Sequence, residues 1–193
     1  MKYITRELRG TYLYIRKQSI FEIIKCIVLF AMAFGIFFIG YSTLGTKKSL
    51  FSVFAVLALL PASKALVGVI MFLRYRSVSA DMYERINSAV GNLPVLYENI
   101  LTTSEKSYYV QAIVYVKGNL VALMAESKNS PEKITAHLKN VLKNAGHKEV
   151  NIKIYCNEKE FLSRCSEMKN HFADSISSGI YDAIFNTIKA VSL

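Results

Sequence analysis

Two apolar runs dominate the hydrophobic pattern of this chain. Residues 20–39 read IFEIIKCIVLFAMAFGIFFI and residues 50–73 read LFSVFAVLALLPASKALVGVIMFL. In both, apolar side chains surround the helix instead of forming the single stripe of a helix packed on a globular core. Each run reaches the roughly 20 residues needed to cross a bilayer core. The first run is longer than a signal-peptide core and has no small-x-small cleavage site before a mature domain. The pattern therefore predicts transmembrane helices at 20–40 and 50–73, joined by a short external loop at 41–49. So short a connection makes the pair an antiparallel hairpin.

Beyond residue 76 the texture changes to mixed polar and apolar positions. Ser79 can cap a helix whose stripe is Met82, Tyr83, Ile86 and Val90, with Gly91 ending it. Residues 97–103 form a weaker strand signal. Residues 108–116 (YYVQAIVYV) form a strong one, and Lys117-Gly118-Asn119 turns the chain into a third strand at 120–125. Ser130-Pro131 opens a helix with Ile134, Leu138, Val141 and Leu142 on its buried face, stopped by Gly146. Residues 150–156 alternate as a half-buried strand. Asn157 with Glu160 resembles a capping box for a helix through Met168. A last helix within 171–193 carries Phe172, Ile176, Ile180, Ile184 and Ile188 on one face, suited to covering the sheet or lying on a membrane surface.

The expected fold is therefore an α-helical transmembrane hairpin of two spans, followed by a small α+β domain. That domain, residues 77–170, is expected to hold a three- to four-stranded mixed sheet.

Charge changes the picture by orienting the hairpin. The net charge is +10, with nine Lys/Arg against two carboxylates up to residue 73 and fifteen against twelve beyond it. The basic character thus belongs mainly to the anchor and its flanks, and nucleic acid is not an expected partner. Lys2, Arg6, Arg9, Arg16 and Lys17 precede the first span, and Arg74 and Arg76 follow the second. Only Lys47 and Lys48 lie between the spans. The positive-inside bias places both termini and the α+β domain in the cytoplasm, at the plasma (inner) membrane. Tyr3, Ile4, Leu8, Tyr12 and Ile15 recur at helical spacing among those basic residues. Residues 1–19 are therefore expected to be a basic amphipathic segment in contact with anionic lipid head groups through Lys2, Arg6, Arg9, Arg16 and Lys17. Cys26, Cys156 and Cys165 suggest no disulfide framework.

Three charged residues interrupt the spans. Lys64 lies nine residues before Leu73, roughly 13 Å along the helix. At that depth it costs about 2.5–3.5 kcal/mol unless it finds a partner or water. Pro61, three residues earlier, removes a backbone donor from the Leu57 carbonyl and marks an expected kink. Glu22 and Lys25 are spaced to pair on one helix face. Small residues at Ala31 and Gly35, and at Ala58 and Ala62, offer surfaces for close helix approach.

Candidate chemistry is sparse. Glu126-Ser127-Lys128 follows the third expected strand. The order helix–three strands–helix–strand with this Glu-x-Lys resembles the core of restriction-endonuclease-like nucleases. That resemblance implies a divalent metal held by the Glu-x-Lys and an acid on the preceding strand. Residues 108–116 contain no Asp or Glu, so Glu98 or Glu105 would have to substitute. His137, His147 and His171 have no metal-ligand spacing, and no phosphate loop or nucleophile elbow occurs, so neither a metal nor a cofactor is expected. The leading expectation is a non-enzymatic, membrane-anchored interaction or regulatory protein that binds a protein partner or itself. The alternatives are a membrane-tethered, metal-dependent nuclease or hydrolase using Glu126 and Lys128, and an oligomeric channel or transporter accessory using Lys64.

Overall fold

The computed structural model describes residues 9–44, 50–103, 106–125, 131–147, 150–172 and 178–192. The chain divides into two compact units, one of Met1–Tyr14 with Ser77–Leu193 and one of Ile15–Arg76.

The smaller unit holds two long helices, α1 (Tyr14–Leu44) and α2 (Leu50–Leu73). Both are long and apolar enough to cross a membrane. Most of their surface is open. Among the described residues, every exposed large hydrophobic side chain of the chain falls between Ile20 and Leu73. Helix α1 starts six residues earlier than the apolar run alone suggests. Helix α2 runs unbroken through Pro61. The two helices meet where Cys26 packs with Ala65 and Val69, flanked by Ile23, Leu29 and Phe30. Ala33 and Ala62 are buried as well. The small-residue expectation needs correction on α1: Ala31 is exposed, and a Cβ on Gly35 would meet nothing within 4 Å. Helical phase explains this, because Cys26 and Ala33 are seven residues apart and share a face that Ala31 does not.

The larger unit is a four-stranded mixed sheet between two pairs of helices. Its elements are α3 (Ala80–Val90), β1 (Val95–Thr102), β2 (Ser107–Val116), β3 (Asn119–Met124), α4 (Pro131–Asn144), β4 (Asn151–Tyr155), α5 (Glu158–Phe172) and α6 (Ser178–Val191). The strands lie in the order β1-β2-β3-β4, with the first two pairings antiparallel and β3–β4 parallel. A parallel neighbour needs a crossover, and α4 supplies it.

Local signals account for the boundaries. Ser79 accepts the Met82 amide, and Gly91 closes α3 at φ +60. Lys117 and Gly118 both take positive φ, as a two-residue hairpin turn requires. Asn157 accepts the Lys159 amide and donates to Glu160, so the capping pair ahead of α5 is formed. Helix α5 runs to Phe172, four residues past its expected end. The tail stripe accordingly divides: Phe172 ends α5, residue 176 lies outside the described residues, and Ile184 and Ile188 belong to α6.

Strands β2 and β3 are covered on both faces, which is why they read as near-continuous apolar runs. On one face Ile134, Leu138 and Leu142 of α4 and Ile184, Phe185 and Ile188 of α6 pack on Val110, Ile113, Leu120 and Ala122. On the other, Ile86 and Val90 of α3 and Phe161, Cys165 and Met168 of α5 pack on Ala112, Val114, Val121 and Leu123. The tail helix thus covers the sheet.

Candidate functional site

The polar centre of the sheet unit is Glu98, in the middle of β1. It is 1% exposed, with φ +52. A buried carboxylate persists where donors satisfy it, and three converge here. Glu98 Oε1 accepts the Val78 amide at 3.0 Å and the Leu13 amide at 3.2 Å, and Oε2 accepts the Ser77 hydroxyl at 3.2 Å. Leu13 is the last residue before α1, itself at φ +62, and Ser77 and Val78 follow the stretch that ends α2. One carboxylate therefore holds both the segment entering the helical pair and the segment leaving it. The unusual backbone turn at Glu98 aims the side chain at those segments while Tyr97 and Asn99 keep their pairing with Ala112 and Val110.

Neighbouring residues fasten the same entry segment. The Tyr97 amide donates to the Gly10 carbonyl at 2.8 Å. A Cβ on Gly10 would stand 2.4 Å from Leu96 Cδ2, and its φ is +83, so the close approach requires glycine. Tyr12 stacks on Tyr83 at 4.1 Å, and Tyr83 lies 5.1 Å from the Tyr97 ring. Arg9 Nη1 donates to the carbonyls of Ser192 at 2.8 Å and Lys189 at 3.2 Å, a cation on the C-terminal end of α6. With the Leu101–Ser192 bridge, these contacts cover the outer edge of β1.

Burial sets the ionisation behaviour around this edge. It pushes the Tyr97 hydroxyl up from 10.0 to about 12, helped by the charges of Tyr83 and Cys165, and the Cys165 thiol up from 9.0 to about 12 against the Arg164 charge. It also raises Tyr109, with the Glu98 charge adding to the effect.

Several expectations change. Glu98, a candidate catalytic acid, is committed to the two connecting segments. Arg9, expected at lipid head groups, is held by carbonyls at the end of α6. Of the basic segment at 1–19, the described residues 9–13 form turns and a bend, and α1 begins at Tyr14. Arg16 and Lys17 are exposed in the first turn of α1. Lys2, Arg6, Glu105, Glu126 and Lys128 lie outside the described residues. No group of three or more His, Cys, Asp or Glu side chains suited to a metal ion occurs among the described residues.

Within the helical unit, Glu22 is buried, ion-paired to Lys25 and hydrogen-bonded by Gln18 Nε2 at 3.3 Å. Its carboxylate lies against Gly68, where a Cβ would stand 3.0 Å from Oε2. Lys64 is exposed, so Glu22 is not its partner.

Sequence reasoning could not have found the Glu98 arrangement from spacing, since its donors are 20, 21 and 85 residues away. One signal was available: a lone carboxylate in the middle of an apolar strand needs donors from somewhere. Comparison with protein families, characterised proteins and solved structures gives no match.

Proposed function

We propose that this is a two-span membrane protein that presents its α/β unit at the cytoplasmic surface as a non-enzymatic interaction or regulatory domain. The observation that carries the reading is the Glu98 clasp: the carboxylate buried in the sheet is spent on holding the two segments that lead to the helical pair. The concentration of exposed large apolar side chains on α1 and α2 supports the membrane assignment. Exposed Arg16, Lys17, Arg74 and Arg76 at the outer ends of the two helices support the cytoplasmic orientation and contact with anionic head groups.

The native cysteines provide the test of sidedness. Cys156 is exposed, whereas Cys26 and Cys165 are buried. A membrane-impermeant maleimide should label Cys156 in inverted vesicles and leave right-side-out vesicles unlabelled; the reverse pattern overturns the orientation. Removing residues 77–193 should abolish recovery of a soluble partner of the α/β unit, and unchanged recovery of that partner would remove the unit from that role.

A second reading rests on the observed order of α3, β1–β3, α4 and β4, with Glu126 two residues beyond the end of β3. That order supports a metal-dependent nuclease or hydrolase in which Glu126 binds a divalent ion beside Lys128. Such an enzyme should lose its magnesium-dependent cleavage to background in Glu126→Ala. Cleavage equal to wild type in that variant ends the reading.

A further inference from the structure

Lys64 is an ammonium on the outward face of an apolar helix. The seam of α2 against α1 is formed by Ala62, Ala65 and Val69. At 3.6 residues per turn, Lys64 stands about 130° around the helix from the centre of that seam. Its neighbours one turn away on the same face, Leu60 and Val67, are 67% and 63% exposed. Pro61, on the adjoining turn, supplies no amide hydrogen to the Leu57 carbonyl. A charged donor thus occupies a surface otherwise fit only for lipid.

The chain cannot neutralise this charge from its own helices. Glu22 is the only carboxylate in α1 or α2, and it is buried beside Gly68 and paired with Lys25. A second copy is no better. A two-fold pairing through this face would bring ammonium against ammonium, and the copy's Glu22 is engaged in the same way. Charge complementarity therefore selects a different polypeptide.

We infer that the face of α2 bearing Leu60, Lys64 and Val67 docks a transmembrane helix of another protein carrying an aspartate or glutamate at the depth of Lys64. In hydrocarbon such a pair relieves the desolvation of both charges, and the flanking apolar side chains supply the packing surface. This rests on the membrane-spanning reading of α1 and α2, and the partner it names meets the hairpin, separately from any partner of the α/β unit.

The test uses the full chain in phosphatidylcholine vesicles and biotinylated Leu/Ala transmembrane peptides that differ at one central position. Flotation with the vesicles after alkaline carbonate treatment reports insertion independently. The peptide with Asp should recover the chain about tenfold more strongly than the all-apolar peptide. Lys64→Leu should erase that preference, and Lys64→Asp should transfer it to a peptide with Lys. Equal recovery by the Asp and apolar peptides overturns the inference, as does an Asp preference that survives in Lys64→Leu. Homodimers abolished by Lys64→Leu would replace the foreign helix with a second copy, and so overturn it too. A chain that floats but shows no preference refutes the docking face alone. A chain that does not float refutes the membrane reading, and the inference with it.

Discussion

Glu98→Ala should destabilise the sheet unit by about 3–5 kcal/mol, measured by urea unfolding of the detergent-solubilised full chain through its tyrosine signal. Hydrogen bonds to a charged acceptor contribute roughly 1.5–3 kcal/mol each, and a buried donor left unsatisfied costs about 1–3 kcal/mol. Alanine removes all three contacts and strands the Val78 amide in a buried position. It also places a residue without a compensating side-chain bond at φ +52. Glu98→Gln should cost less, about 1–2 kcal/mol, because the amide oxygen can still accept the Leu13 and Val78 amides; the charge is lost, and the amide nitrogen can only donate to the Ser77 oxygen in place of accepting its hydroxyl. Amide exchange at Leu13 and Val78 should accelerate in the alanine variant more than exchange in β2 and β3. A loss below about 1 kcal/mol, with exchange unchanged, would show that the clasp is not what holds these segments.

The second large effect is a loss of stability at alkaline pH. Tyr97 and Cys165 both have folded pKa values raised to about 12, from 10.0 and 9.0. For a group raised in this way, the unfolded chain ionises first. The stability contribution is whole below pH 9, falls as pH rises from 9 through 12, and is gone above the folded values. Because the two groups interact with each other, the combined loss is on the order of 3–5 kcal/mol rather than a simple sum. Stability in urea should therefore decline steeply between pH 9 and 12. Tyr97→Phe and Cys165→Ala together should make that decline shallower, leaving the share of Tyr109, which burial also raises, and the slope near neutral pH unchanged. An equally steep decline in the double variant would assign the alkaline transition to other groups.

The parts of the fold that were legible in advance are those whose causes are local. A cap at Ser79, a turn at Lys117-Gly118 and a stop at Gly146 act within four residues along the chain. The full apolar circumference of α1 and α2 is likewise written in consecutive positions. The β2 and β3 runs announced strands, but only the helix pairs packed on both faces explain why they are so uniformly apolar. The tail stripe has helical spacing throughout on paper, yet its described members fall on two helices, Phe172 on α5 and Ile184 and Ile188 on α6.

The site was less legible, for a different reason. A carboxylate in a strand announces that it needs donors and says nothing of where they come from. The sequence sets Glu98 beside Glu126 and Lys128 as a candidate metal ligand, yet its donors come from the segments on either side of the helical pair. Position along the chain groups Arg9 with its basic neighbours, and the fold sets it on the last carbonyls of α6. By itself, the order of residues determined the two apolar helices, the strand sequence and most of the caps, because each rests on backbone geometry and on contacts one turn or one strand neighbour away. Only the tertiary structure decided which polar groups are spent on holding the fold and which remain exposed, because hydrogen-bond partners 85 or 180 residues apart meet only after the chain has closed.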